Sequence, residues 1–331
     1  MILFMVQRKE RKQIKMEREL IRLSPVCTHN VWGGERLRTE FGYDQEGNDL
    51  GECWGISANK VADATVKNGV YAGWKLSELY EKHRELFGNY KQDTFPLLTK
   101  IIDARQDLSI QVHPSDAYAK VHENGSLGKM ECWYIMDCPE NANLVIGHNA
   151  RTKEELRKMV DGKEWNALMR TIPVKKGDFI QIDPGCVHAI KAGFLILETQ
   201  QNSDITYRLY DYDRLSNGKL RELHIEKSLD VITVPAKDMR ETLKSTIDQE
   251  KDSVLLLYKC EYYTIYKAKV EEEVIMDELL PFTLGSVIEG EGMLWEETLK
   301  KGDHFIVPSG YGKMKLHGNM TLILSAPNPK Q

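Results

Sequence analysis

The chain has 331 residues, of which 41% are apolar and 29% charged, with a formal net charge of -5. That length suits about two domains of ~150 residues each, and the apolar fraction is enough for ordinary globular cores. With no excess of Lys and Arg, nucleic acid and anionic membrane surfaces are excluded as main partners, since both reward a basic field.

Met1 to Val6 is apolar and is followed by the charged run Gln7 to Arg22. A signal peptide has the opposite order, with basic residues ahead of an apolar stretch of about 7–15. The opening run is also far short of the roughly 20 residues a membrane helix needs, and nothing later resembles one. Residues 1–22 are therefore expected to be a poorly packed extension, with Met16 as an alternative start. The six cysteines, Cys27, Cys53, Cys132, Cys138, Cys186 and Cys260, form no C-x-x-C pair and no dense framework. Free thiols in a reducing, cytoplasmic setting are the simpler reading.

Along the chain, Lys75 to Phe87 places Leu76, Leu79, Tyr80, His83, Leu86 and Phe87 on one helical face, with Gly88 as a stop. Strand patterns follow at Leu108 to His113 and Glu131 to Met136. A second helix is predicted over Arg151 to Met169, with Thr152 as N-cap and Glu155 at capping-box spacing. Further strands are expected at Phe179 to Ile182, Phe194 to Gln200 and Thr206 to Tyr210. Short alternating runs separated by Gly and Pro turns favour a barrel or sandwich, and both helices are expected to cover it.

A weak internal repeat divides the chain. Lys175-Lys176-Gly177-Asp178 opens KKGDFIQIDPGCVHAI, and Lys300-Lys301-Gly302-Asp303 opens KKGDHFIVPSGYGKMK. K-G-D turns are common before strands, but the shared downstream pattern favours duplication into two barrels. The copies differ where chemistry would sit: His188 follows the Pro184-Gly185 turn, whereas the second copy has Lys313 or nearby apolar positions. One barrel is thus expected to hold a metal and the other to be structural, linked through the polar stretch Lys237 to Ser253.

The densest chemical signal is Ser109-Ile110-Gln111-Val112-His113-Pro114. Alternate strand residues share a face, so Ser109, Gln111 and His113 would point one way and Leu108, Ile110 and Val112 the other. Pro114 ends ladder pairing at the mouth. Lys129 and Glu131 share a face of the next strand. Gln111, His113, Glu131 and His188 together supply two imidazoles, a carboxylate and an amide oxygen, a mixture that zinc accepts. A lone barrel histidine is more often packed or exposed than a ligand. The other seven, His29, His83, His122, His148, His224, His304 and His317, lack comparable company and are read as structural or solvent-exposed.

At these residues the chain resembles a type I mannose-6-phosphate isomerase of the short bacterial form, from about Leu23 onward. The resemblance is carried by Val31-Trp32-Gly33-Gly34, by Gly51-Glu52-Cys53-Trp54-Gly55-Ile56-Ser57 and by Pro96-Leu97-Leu98-Thr99-Lys100-Ile101-Ile102-Asp103-Ala104. The Q-V-H-P strand, Gly128-Lys129-Met130-Glu131, the P-G-x-x-H turn and Gln201-Asn202-Ser203-Asp204-Ile205-Thr206-Tyr207-Arg208 complete it in the family's order. It implies a mainly β fold of two cupin-type (jelly-roll) β-barrels with a few covering helices. The domains would be a metal-binding catalytic one over 23–240 with helical insertions, and a C-terminal one over 241–331 without a metal site. It implies one zinc ion (Zn2+) per chain on Gln111, His113, Glu131 and His188. Active-site roles follow for Lys100, Lys129, Asp204 and Arg208, with Ser109 beside Lys100 as a substrate-binding residue.

Two departures stand out. The generic cupin H-x-H is here Gln111-Val112-His113, with Pro114 to Gly128 inserted before the Glu segment. Longer isomerases carry His before the Lys of K-x-E, where this chain has Gly128, so a mechanism needing that His does not operate here. The implied reaction interconverts mannose 6-phosphate and fructose 6-phosphate, a small sugar-phosphate substrate, through an enediol. Lys100, Lys129 and Arg208 are phosphate candidates, Arg208 can also face substrate oxygens, and Asp204 can orient a neighbour. Lys129 is a candidate base, with Glu198 a weaker one. Trp32 and Trp54 can wall the sugar or pack in the core. Two His and one carboxylate also describe a non-haem iron oxygenase, and a non-catalytic sugar-phosphate sensor would keep the same pocket.

Overall fold

The computed structural model describes residues 19–43, 46–216 and 218–328. The expected extension therefore lies outside the described residues, apart from its last four positions. Within those residues the chain is mainly β and forms two compact units. No helix among them is long and apolar enough to cross a membrane.

One unit comprises 27–54 and 97–248. It holds a seven-stranded sheet and a five-stranded sheet. In the first, Glu131–Asp137 and Leu97–Asp103 flank Leu195–Gln201. In the second, Ile110–Val112 lies between His188–Ala189 and Tyr207–Tyr210. Alternation turns Ile102, Trp133, Ile135, Ile180 and Ile196 from the first sheet onto Leu144, Ile146 and Ile172 of the second, forming the inner core. Ile110, Val112, Val187 and Leu209 face the other way. Leu156 and Val160 of the Lys153–Asp161 helix and Leu168 of Trp165–Leu168 cover them.

The other unit comprises the described part of 1–26 together with 55–96 and 249–331. Its nine-stranded sheet pairs Ile21–Ser24 with His304–Val307 and centres on Thr283–Leu294 against Lys313–Pro327. The expected linear cut between 240 and 241 differs from this division. Ile21 pairs with Ile306, so the early segments belong to this unit through β-ladders that a linear pattern does not reveal. The helix predicted from Lys75 lies in this unit too, as Leu76–Lys82 followed by a 3-10 turn at Arg84–Phe87. The second predicted helix also ends early, at Asp161, because Lys163 takes a positive φ of 53°.

The repeat is built alike in both units. Asp178 Oδ2 accepts from Lys175 N at 2.9 Å, and Asp303 Oδ2 accepts from Lys300 N at 2.9 Å. Gly177 and Gly302 take φ of 88° and 91°, and Gly185 and Gly310 both take 83°, conformations that favour glycine. At the divergent position, His188 is buried, whereas Lys313 is exposed and pairs with Asp277 at 3.0 Å. Leu316, three residues on, packs with Phe305 and Leu322. Leu316→Ala is expected to lower stability by about 2–5 kcal/mol and leave metal content unchanged. Thermal denaturation with metal analysis checks both.

Candidate active site

Each inner strand face is polar at one end and apolar at the other. Glu131 precedes Trp133 and Ile135, Glu198 follows Ile196, and Lys100 precedes Ile102. The registers bring the polar ends together, with Glu198 opposite both Lys100 and Trp133, and Gln200 opposite Glu131. The result is a cavity of about 300 Å3 lined largely by polar side chains. Of the residues expected from sequence, Lys100, Ser109, Gln111, Lys129, Asp204 and Arg208 all line it.

His113, Glu131 and His188 do not line the cavity but lie against residues that do. They form the one group among the described residues whose His, Cys, Asp or Glu donors converge, all within 4.8 Å of one another. His113 Nδ1 lies 2.8 Å from the Ile205 carbonyl, and His188 Nδ1 lies 2.9 Å from that of Cys186. A carbonyl only accepts, so each Nδ1 carries the proton and each Nε2 keeps its lone pair. Those Nε2 atoms face Glu131 at 3.4 and 3.3 Å. Burial holds His188 down at about 4 and His113 well below its ordinary value, with the nearby Lys129 charge acting the same way. Two lone pairs and a buried carboxylate therefore point at one another, an arrangement that calls for a cation.

Gln111 completes the set geometrically, its amide 3.3 Å from His188 Nε2. Rotating the amide by half a turn presents its oxygen instead. Ser109 Oγ lies 3.4 Å from Gln111 Oε1. Lys129 reaches Glu131 at 2.7 Å, His113 Nε2 at 3.2 Å and Glu198 at 4.0 Å. Burial opposes its charge, but the Glu131 and Glu198 carboxylates outweigh burial and raise its pKa. Glu198 is held by Trp133 Nε1 at 2.9 Å. Burial, then the Glu131 charge, pushes its carboxyl above the usual range.

Arg208 sits across Gln111 from His188, so His188, Gln111 and Arg208 form one cross-strand row. Its Nη1 donates to the Glu222 carbonyl at 2.7 Å, while its buried Nε has no hydrogen-bond partner. Asp204, Thr206 and Arg208 all reach the cavity. The strand itself begins only at Tyr207, so Asp204 is delivered by the preceding loop rather than by strand alternation. Leu108 likewise precedes its strand and joins the inner core instead of the face shared by Ile110 and Val112.

The cavity is also lined by Glu52, Arg221 and Asn30, to which the sequence assigns no role, and by Glu198, which it offers only as a weaker base. Glu52 alternates with Trp54, whose Nε1 donates to it at 2.8 Å, and it meets Lys100 at 3.4 Å. Trp54 thus buttresses Glu52 and has Lys100 Nζ over its ring, 4.0 Å from the ring centre, whereas Trp32 lines the cavity. Arg221 comes from a charged loop with no local signal. Asp211 holds it at 3.3 Å and Arg214 at 2.5 Å. Burial and the neighbouring positive charges pull both Arg208 and Arg221 below their ordinary pKa.

The inserted loop is tied down by the Gln201-Asn202-Ser203 run. Asp116 Oδ1 accepts from Gly128 N at 2.7 Å and from Gln201 Nε2 at 2.9 Å, and Ser203 Oγ donates to the Leu127 carbonyl at 3.0 Å. A Cβ on Gly128 would lie 2.3 Å from Asp116 N and 2.4 Å from Ser115 C. No side chain fits there, which explains the glycine in place of histidine. Gly128→Ala is expected to cost about 1–3 kcal/mol, measurable by chemical denaturation.

Residues 20–142 match the family model "Phosphomannose isomerase type I, catalytic domain", and 253–327 match "Mannose-6-phosphate isomerase, cupin domain". The chain is 49% identical over 316 residues to mannose-6-phosphate isomerase ManA of Bacillus subtilis, spanning 94% of this chain and 99% of that protein. It belongs to the type I phosphomannose isomerase family. Another family member, the mannose-6-phosphate isomerase of Streptococcus mutans, is 46% identical over 310 residues, covering 90% of this chain and 95% of that one. The crystal structure of the Bacillus subtilis mannose 6-phosphate isomerase superposes with a TM-score of 0.87 at 47% identity, over 93% of this chain and 99% of that one. The expectation of a mainly β, cupin-type phosphomannose isomerase fold therefore holds.

Proposed function

We propose that the chain interconverts D-mannose 6-phosphate and D-fructose 6-phosphate, using one bound zinc ion and an enediol intermediate. The observation that carries this reading is the convergence of two unprotonated Nε2 atoms and a buried carboxylate beside a polar cavity rimmed by Lys100, Lys129, Arg208 and Arg221. The mannose-6-phosphate isomerases to which the chain is similar support the substrate. His113, Glu131, His188 and Gln111 would hold the zinc, and their donor types fit it. When bound, the ion supplies Lewis-acid polarisation of the carbonyl and adjacent hydroxyl.

The rest of the chemistry falls to the chain. Arg208, one strand from Gln111, faces substrate oxygens near the metal ligands, and Arg221 lies beyond it for the phosphate. Lys100 and Ser109 bind substrate from the two sheets, and Asp204 orients a neighbouring group at the mouth. Glu131 at 2.7 Å favours the ammonium form of Lys129, which suits it to stabilising charge on oxygen. Glu198, aimed into the cavity by Trp133, is the base we assign for the carbon-bound proton. Glu198→Gln should then lower kcat on the order of 10²-fold or more with metal retained. An unchanged kcat returns the role to Lys129. We place catalysis in the unit built from 27–54 and 97–248, the other unit being structural, and the enzyme in the cytoplasm.

The test is a coupled isomerase assay on purified protein with metal analysis of the same sample. Isomerisation with about one zinc per chain supports the proposal. Bound iron with oxygen-dependent turnover, or metal and sugar-phosphate binding without turnover, rejects it.

A further inference from the structure

Gln200 is fully buried near the end of the Leu195–Gln201 strand. It stands opposite Glu131 on the neighbouring strand. Alternation places it on the inner face with Ile196 and Glu198. Its Nε2 donates to the Gln201 carbonyl at 2.9 Å and to the Ser203 carbonyl. Carbonyls only accept, so turning the amide over would set oxygen against oxygen, and its orientation is fixed. Its Oε1 has no hydrogen-bond partner. An orphaned buried acceptor costs stability that an apolar side chain of similar size would not. Packing alone therefore does not account for a glutamine here.

The two carbonyls it holds belong to the segment that supports His113. Ser203 N donates to the Gln201 carbonyl at 2.7 Å, and Gln201 N donates to the Met130 carbonyl at 3.0 Å. Met130 N donates in turn to Gln201 Oε1 at 2.9 Å. Ser203 Oγ accepts from Ile205 N at 3.4 Å, and the Ile205 carbonyl accepts from His113 Nδ1 at 2.8 Å. One chain of contacts thus runs from the Gln200 amide through residues 201–205 to the His113 ring, and it starts opposite Glu131. We propose that Gln200 is a positioning residue for the metal centre. Its amide fixes the 201–205 segment, so that the Ile205 carbonyl holds His113 with Nε2 unprotonated and 3.4 Å from Glu131. This role rests on the metal site proposed above. Groups that orient a metal-binding histidine are typically worth about 10–100-fold in affinity. That gain is what offsets the orphaned oxygen.

The experiment measures zinc affinity of the full-length protein by competition with a chelator. Tm of the metal-free protein and backbone hydrogen exchange over 201–205 are measured beside it. Gln200→Met keeps the length of the side chain and removes its donors. It should weaken zinc about 10–100-fold and speed exchange over 201–205, while the metal-free protein still melts cooperatively. Ile196→Val, which trims the inner core on the same strand, should lower Tm and leave zinc affinity unchanged. Coupling is reciprocal, so in the wild type zinc should slow exchange over 201–205. That measurement decides if Gln200→Met does not fold. Unchanged zinc affinity in Gln200→Met, an equal loss in Ile196→Val, or wild-type exchange over 201–205 indifferent to zinc each overturns the role of Gln200 alone. Wild-type protein that takes up no zinc overturns the metal site and this role with it.

Discussion

Glu131→Gln is expected to abolish metal binding and nearly all turnover while the fold survives. Glu131 is fully buried and is the only anion among the described members of the converging donor group. The two Nε2 atoms opposite it carry no proton, since their Nδ1 partners are carbonyls. Glutamine keeps the shape and removes the charge. Its amide hydrogens can then donate to the very lone pairs that would otherwise ligate the ion, so the site becomes self-satisfied without a cation. Loss of a group that only supports a ligand typically costs roughly 10–100-fold in metal affinity, and removing a ligand itself should exceed that. Turnover should fall on the order of 10³-fold, the scale of losing a principal stabiliser of transition-state charge. The inner core of Trp133, Ile135 and Ile196 is untouched, so the thermal transition should remain cooperative. His188→Ala should behave alike. Full metal occupancy in both variants, by elemental analysis after dialysis, would reject these ligands.

This site could be read in the sequence because its strands obey a period of two. Gln111 and His113 share a face, Glu131 opens a strand that continues as Trp133 and Ile135, and His188 ends a Pro-Gly turn. Each is a local pattern. What escaped depends on contacts between distant segments. Ile21 pairs with Ile306 and Leu23 with His304, so which unit an early segment joins is settled by partners hundreds of residues away. Arg221 reaches the cavity through Asp211 and carries no periodic signal of its own. The first helix is shorter than its apolar spacing predicts for a related reason. At His83 the chain leaves the helix at φ -128° and ψ 56°, where the side chain meets Tyr71. The apolar spacing continues through that break, because a 3-10 turn presents nearly the same face.

Arg208→Lys and Arg221→Ala should separate chemistry from phosphate binding. Arg208 is one strand from Gln111, and Gln111 is one strand from His188. Its buried Nε lacks a partner, so a donor is held ready near the proposed metal ligands. Guanidinium presents a rigid fork that an ammonium does not reproduce. If that fork meets oxygen charge that develops only during the reaction, Arg208→Lys lowers kcat on the order of 10²-fold, with KM little changed and metal retained. Arg221 shares Asp211 with Arg214, which leaves the cluster of Arg208, Arg214 and Arg221 with more positive than negative charge. Such an excess is costly when buried and is relieved by a dianion. Phosphate keeps its charge from ground state to transition state, so Arg221→Ala should raise KM, by about tenfold or more for a loss of 1.4 kcal/mol or more, with kcat held. Steady-state kinetics on the two variants decide between the roles. A near wild-type kcat in Arg208→Lys with a raised KM would move Arg208 to the phosphate, and no change in either constant would make it a structural ion.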